Sequence, residues 1–375
     1  MTQSKRRLRI AMLGLRSLHG GHGGVETHIK HLAHRLAEGD AEVLVLERAP
    51  YVTPDDPVDP ANVKRWSLPA PKDKHLEALI HSTIGVFAAA WWRPDVLHVH
   101  AIGPALVTPL GRLMGMRVVV THHGDDYNRE KWSKFAKTMI RLGEQMAGRF
   151  SNGIISVSGL AANRLRTDYP RQRVEHVPNG VPPTPAPRKT WPNGVDPGQK
   201  YILNVARLVP EKRQIDLVRA FEKVRDKHPD WSLVLVGSAV TASPYEAEIL
   251  QAAAPGSRIQ CLGHQTGDDL AAAFAGADLF VLPSSHEGNP IAMLEAMSAS
   301  LPILASDIPP NLEIELPAAC YYPLGDTDSL AKALDAVMGG QAERRIDWSD
   351  KLQKYRWEEV TRRTASFYNQ VCGRT

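Results

Sequence analysis

The run Ala277-Asp278-Leu279-Phe280-Val281-Leu282-Pro283 leads directly into Ser284-Ser285-His286-Glu287-Gly288-Asn289-Pro290-Ile291-Ala292-Met293-Leu294-Glu295-Ala296-Met297. The first run reads as a buried strand and the second as a Gly-containing turn feeding a helix. Asn289 is the expected N-cap, and Pro290 the expected first helical residue, where its missing N–H costs nothing. A strand end, a turn and a helix N-terminus form a corner that attracts anions. Two carboxylates beside that corner, Glu287 and Glu295, repel phosphate, so they read as acceptors for hydroxyl groups. Phosphate together with hydroxyls describes a nucleotide sugar. The plain alternative is a capping residue and one paired, half-buried Glu.

Upstream, the same strand–helix alternation repeats. Tyr201–Ala206 is a strand, then comes a loop with Arg207 and Lys212, then an expected helix over 215–227 and the strand Ser232–Gly237. Two cations in a strand-to-helix loop fit a phosphate at a helix N-terminus, although solvated surface charge gives the same pattern. Pro182 to Gly198 carries six prolines and no periodicity, and reads as a linker. Before it lies a second set of strands: 9–15, 42–47, 63–68, 95–100, 117–123 and 153–158. The opening strand, a Gly-rich turn over 18–27 and a helix with Ile29, Leu32, Ala33 and Leu36 on one side make a βαβ start and imply a parallel sheet. Glu47 ends the second strand where a dinucleotide-binding acid would stand. The glycine spacing fails, however: with Gly21 and Gly23 as the first pair, Glu26 occupies the third position. A dehydrogenase is therefore disfavoured.

Strand C-termini are where open parallel sheets bind ligands, which makes His123, followed by Gly124 and Asp125, a site candidate. His98 and His100 alternate with apolar residues and also read as hydrogen-bonded within the fold. The histidines lack zinc-ligand spacing, so no metal is expected. Over 129–150, Trp132, Phe135, Met139, Leu142 and Met146 recur at three- and four-residue steps among Lys and Arg. That pattern suits a helix with its apolar stripe on the core, or one lying on an anionic membrane.

The 375 residues suggest two domains. Charge divides unevenly. Residues 1–180 hold 25 Lys/Arg and 17 Asp/Glu, the remainder 20 and 24. The basic half favours a phosphorylated substrate or an anionic surface. Nucleic acid ranks last, for want of any recognised binding motif. Three separated cysteines, Cys261, Cys320 and Cys372, argue against a disulfide framework and for a cytoplasmic setting. The longest apolar stretch, Leu79–Trp92, is too short to span a bilayer.

Taken in order, these segments resemble family-4 retaining glycosyltransferases that use nucleotide sugars and have the GT-B fold, of the bacterial polysaccharide-assembly type. The resemblance rests on Gly23-Gly24-Val25-Glu26, Pro94–His100, Thr121-His122-His123-Gly124, Pro178-Asn179-Gly180-Val181, Ala206-Arg207-Leu208 with Lys212, and Glu287 with Glu295 in the E-x7-E pattern. It departs from the family at Ala206, at Gly237-Ser238-Ala239, at Pro290 and at Ser300, where glycines or free amides are usual.

The resemblance implies an α/β chain of two Rossmann-like domains with parallel sheets facing across a cleft. Residues 1–181 would bind the acceptor and 199–350 the donor, with 351–375 a helix packing back on the N-terminal domain. His123, Arg207, Lys212 and Glu287 become the catalytic candidates. Gly23, Gly24, Arg207, Lys212, His264, Gly288, Asn289, Pro290, Ile291 and Glu295 would bind donor, and Glu26, His100 and Asp125 acceptor. The expected partners are a UDP- or GDP-linked sugar and a glycan or lipid-diphosphate-linked acceptor at the inner membrane face, with no cofactor or metal. A GT-B epimerase or hydrolase, and a non-catalytic nucleotide-sugar-binding partner, are the alternatives.

Overall fold

The computed structural model describes residues 6–20, 23–71, 76–125, 133–181, 195–196, 198–239, 243–341, 343 and 345–374. Contacts divide the chain into two units: residues 1–180 with 357–375, and residues 181–356. Most of the expected linker, 182–198, lies outside the described residues.

The first unit is a seven-stranded sheet built from β1 (Arg9–Leu13), β2 (Glu42–Arg48), β3 (Val63–Leu68), β4 (Val96–His100), β5 (Val118–His122), β6 (Gly153–Ser156) and β7 (Val174–His176). Its order is β3-β2-β1-β4-β5-β6-β7, and every pairing is parallel. Successive residues serve opposite faces. Ile10 and Met12 pack into one cluster with Ile29 and Leu32, while Ala11 and Leu13 pack into another with Val86 and Ala89. Burial on both faces explains why a central strand such as β1 is continuously apolar rather than alternating. The last helix, Trp357–Cys372, places Trp357, Val360, Phe367 and Tyr368 in the cluster of Ile29 and Leu32.

The second unit has six strands: β8 (Lys200–Val205), β9 (Trp231–Val236), β10 (Ile259–Cys261), β11 (Leu279–Leu282), β12 (Ile303–Ser306) and β13 (Tyr321–Tyr322). The order β10-β9-β8-β11-β12-β13 repeats the doubly wound pattern, again wholly parallel. The sequence reading ended this domain at 350. The structure carries it to Arg356, because Val181 donates to the Tyr355 carbonyl and bridges Arg356. Incoming and outgoing chain therefore lie side by side within this unit.

In each unit the order reverses beside the central strand, β1 against β4 and β8 against β11. Two glycines mark close backbone approaches there. Gly14 has φ +116° and Gly237 φ +138°, and an added Cβ would overlap the His100 or Ala206 carbonyl oxygen respectively. Only glycine combines that conformation with that proximity.

Candidate active site

In the second unit the switch point lies between the C-terminal ends of β8 and β11, and their loops carry the quoted residues. After β8, Pro210–Lys212 forms one 3-10 turn, Arg213 adopts a left-handed conformation (φ +50°), and the helix Gln214–Val224 begins. The fully buried Gln214 fixes this loop, donating its amide to the Arg207 carbonyl at 2.9 Å and accepting from the Tyr245 hydroxyl at 3.1 Å. After β11, Ser285 donates both its N–H (2.9 Å) and its hydroxyl (3.2 Å) to the Glu211 carbonyl. The two loops are thus tied through backbone. Across the tie, Lys212 Nζ meets Glu287 Oε1 at 2.5 Å, with 16% and 10% of the side chains exposed.

The helix that follows runs Ile291–Ser298, and Pro290 is its N-cap, extended at ψ 93°. This corrects the expectation of an Asn289 cap with Pro290 inside. Pro290 instead lends its carbonyl to the N–H groups of Met293 and Leu294, and Asn289 lies buried one residue earlier. Ile291 therefore opens the helix, beside amides with no intrahelical partner. Glu295 sits half-buried in it, and among the described residues its carboxyl makes no hydrogen bond or ion pair. Burial alone pushes that carboxyl up to about 7. Gly288 shares the loop with Glu287, while His264 is exposed beyond β10.

In the first unit, Gly23 caps the helix Gly24–Glu38 in extended conformation, and Glu26 occupies its first turn. The expected histidines gather at the C-terminal ends of β4 and β5. His100 Nδ1 lies 3.2 Å from His123 Nε2, and His28, which the sequence reading passed over, packs tilted against His100 at 5.8 Å and edge-on against His123 at 5.1 Å. His100 is fully enclosed, so any effect on an acceptor passes through the half-exposed His123. His98 is held from both sides, by Thr121 and by Tyr368, each at 2.6 Å. Desolvation, the largest cause, together with the neighbouring imidazoles keeps His100 and His123 well below the ordinary histidine pKa.

Asp125 belongs to a separate network. Arg164 reaches Asp125 at 2.9 Å and Glu144 at 2.8 Å, and His122 meets Glu144 at 3.0 Å. Burial would raise the Glu144 carboxyl, but the hydrogen bonds from His122 and Arg164 hold it down at about 2. Sequence reasoning missed Glu144. The available signal was a lone acid on the small-residue face formed by Gly143, Ala147 and Gly148.

That face also overturns the core-stripe reading of 129–150. The helix runs Lys134–Phe150 and buries Ile140, Gly143, Glu144, Ala147 and Gly148. Phe135 is 69% exposed and Met139, Leu142 and Met146 only half-buried. Residues 129–132 lie outside the described set. The reason is proximity: a Cβ at Gly143 or Gly148 would overlap the Ile102 carbonyl or the Tyr169 ring, so small residues face inward.

Two doubly wound parallel sheets, with a cation–carboxylate pair and an open carboxyl at the second switch point, define the GT-B glycosyltransferase class. A sequence model for family-4 glycosyltransferases matches residues 22–185, and one for group 1 glycosyl transferases matches 186–355. The chain belongs to glycosyltransferase family 4. It is 25% identical to an uncharacterised glycosyltransferase of Methanocaldococcus jannaschii, over 92% of this chain and 94% of the relative. Its fold is similar to sucrose-phosphate synthase from Thermosynechococcus elongatus (TM-score 0.79, 21% identity, 98% and 100% coverage). It is also similar to Anabaena HepE in complex with UDP-glucose (TM-score 0.75, 17% identity, 96% and 100% coverage).

Proposed function

We propose that the protein transfers a hexose from a UDP- or GDP-linked sugar to a glycan or lipid-diphosphate-linked glycan, with retention of anomeric configuration, during polysaccharide assembly. The observation that carries this reading is the second unit's switch point. There the Lys212–Glu287 pair and the unpartnered Glu295 carboxyl hang on loops tied backbone to backbone. The UDP-glucose complex of the similar HepE structure supports a nucleotide-sugar donor.

Chemically, the bond from the anomeric carbon to the diphosphate oxygen breaks and a bond from the acceptor oxygen forms. The acceptor proton passes to the departing diphosphate. Lys212, Arg207 and the amides opening the helix at Ile291 stabilise the developing diphosphate charge, so no metal is required. Glu287 keeps the Lys212 ammonium in place while accepting from sugar hydroxyls, and Glu295 accepts from the ribose. His264, Gly288, Asn289 and Pro290 line the donor. Gly23, Gly24 and Glu26 serve phosphate and acceptor, and His123 takes a sugar hydroxyl.

Among the described residues, no helix is long and apolar enough to cross a membrane. The exposed Phe135 and Phe150, with Lys134, Arg141 and Arg149, support docking of the Lys134–Phe150 helix on an anionic inner leaflet. The test is nucleoside diphosphate release from UDP- and GDP-sugars with lipid-linked acceptors in EDTA. Donor consumption that needs no acceptor would favour the epimerase or hydrolase reading instead.

A further inference from the structure

The histidine cluster of the first unit contains more unsatisfied imidazole nitrogen than a hydrogen-bonded core requires. A neighbouring histidine shows the contrast. Both ring nitrogens of the fully buried His98 are engaged, by Thr121 and Tyr368. His28 is 2% exposed, yet its Nδ1 has no partner, and His100, 0% exposed, turns its Nδ1 toward His123. An orphaned buried polar atom is costly and calls for an explanation. One ligand atom each from His28, His100 and His123 lies within 4.8 Å of the other two.

We propose that His28, His100 and His123 form a three-imidazole site for a borderline-soft divalent cation of the zinc class, and that its occupancy inhibits transfer by withdrawing His123.

Geometry supports this. With Zn–N bonds of about 2.0–2.1 Å, two nitrogens on a tetrahedral ion stand roughly 3.4 Å apart. His100 Nδ1 and His123 Nε2 are already 3.2 Å apart, so an ion needs little movement of either ring. The rings sit in their neutral, ligating form, since burial opposes their protonation. Binding requires only that the proton shared between His100 and His123 move to the other nitrogen of its ring. Asn179 contacts the His28 ring at Nε2, and turning its amide over presents the carbonyl oxygen that the second N–H of a ligating imidazole needs. His123 is half-exposed, so a fourth position opens on its side for water. Among the described residues, the second cluster of suitable type, His122, Asp125 and Glu144, already holds the Arg164 guanidinium and offers a cation no gain.

The inhibitory half of the proposal rests on the transferase reading, whereas the binding half does not. The test titrates the untagged full-length chain with Co2+ and then Zn2+. We expect one equivalent of Co2+ to give the intense visible bands of a four-coordinate site, and Zn2+ to erase them. X-ray absorption at the zinc edge should show three imidazoles. His28→Gln and His100→Gln should each weaken Zn2+ binding at least 10-fold, while His34→Gln leaves it unchanged. Zn2+ should suppress donor turnover at the concentration that saturates the spectrum, and EDTA should restore it. No stoichiometric spectrum, fewer than three imidazoles at the edge, or undiminished binding in both folded variants would overturn the site. If the variants do not fold, the edge measurement on the unaltered chain decides. Stoichiometric binding without loss of turnover would overturn the inhibition. A chain with no transfer under any condition would refute the transferase reading while leaving the spectrum to judge the site.

Discussion

Lys212 Nζ and Glu287 Oε1 are joined at 2.5 Å across two loops that follow different strands. The pair is neither fully buried nor freely solvated, so the Lys212 side chain is pre-positioned. In the proposed mechanism Glu287 orients Lys212 toward the leaving group. Lys212→Ala should lower transfer by about 10²–10³-fold, the usual effect of removing one transition-state donor. Far-UV circular dichroism should be unchanged. Diphosphate release under saturating donor measures it.

Glu295 predicts a pH dependence. Its carboxyl is raised from 4.5 to about 7, so the folded chain holds the proton more tightly than the unfolded chain does. The Glu295 contribution to stability should be full below about 4.5, fall as pH rises through the window from 4.5 to 7, and level off above it. Glu295→Gln removes that slope, by at most about 3 kcal/mol and less for a half-exposed group. Donor hydroxyls favour the ionised carboxylate, so nucleotide-sugar affinity in the unaltered chain should increase between pH 6 and 8. Calorimetric titration at several pH values checks this.

The switch-point Gly14 and Gly340, which stands in open space, predict a contrast in stability. Gly14→Ala combines a φ of +116° with overlap on the His100 carbonyl, and should cost roughly 2–4 kcal/mol. Gly340 has φ +86° but open space around it, so Gly340→Ala should cost only about 1–2 kcal/mol. Urea unfolding of both variants measures the difference.

His81 predicts acid lability. It is fully enclosed, and desolvation, with Arg48 nearby, pushes it down to about 4 against the opposing pull of the Glu47 backbone. Glu77, also close, opposes the shift without reversing it. The unfolded chain takes up the proton near 6.5 and the folded chain does not. The His81 contribution to stability is therefore complete above 6.5 and lost as pH falls toward 4, by about 3 kcal/mol. His81→Leu should flatten that part of the stability–pH curve.

Much of this was legible in the sequence. Buried parallel strands announce themselves as short apolar runs, and the Glu287–Glu295 spacing spans the loop that the structure ties to the one after β8. What stayed hidden depends on packing between distant segments. His28 lies on the inward face of its helix with Ile29 and Leu32, but it becomes a site residue only because β4 and β5 bring His100 and His123 to it. The 129–150 pattern misled because hydrophobicity suggested which side faces the core, while close backbone approach at Gly143 and Gly148 decided otherwise. Strand β13, only Tyr321–Tyr322, is too short to carry a period.

The exposed side of Lys134–Phe150 predicts membrane contact. Flotation with anionic liposomes should carry the protein upward at low salt. Phe135→Ser with Phe150→Ser, or neutral lipid, should leave it in solution, since each cation near an anionic surface contributes only about 1 kcal/mol.

The central claim is that the second unit holds a nucleotide sugar through Lys212, Glu287 and Glu295, and a thermal-shift panel of UDP- and GDP-sugars tests it most directly. Ligand bound to the native state raises the melting temperature in proportion to RT ln(1 + [L]/Kd). The account predicts a rise with one nucleotide sugar that is lost in Glu295→Ala. No rise with any of them, or an equal rise in the variant, would contradict it.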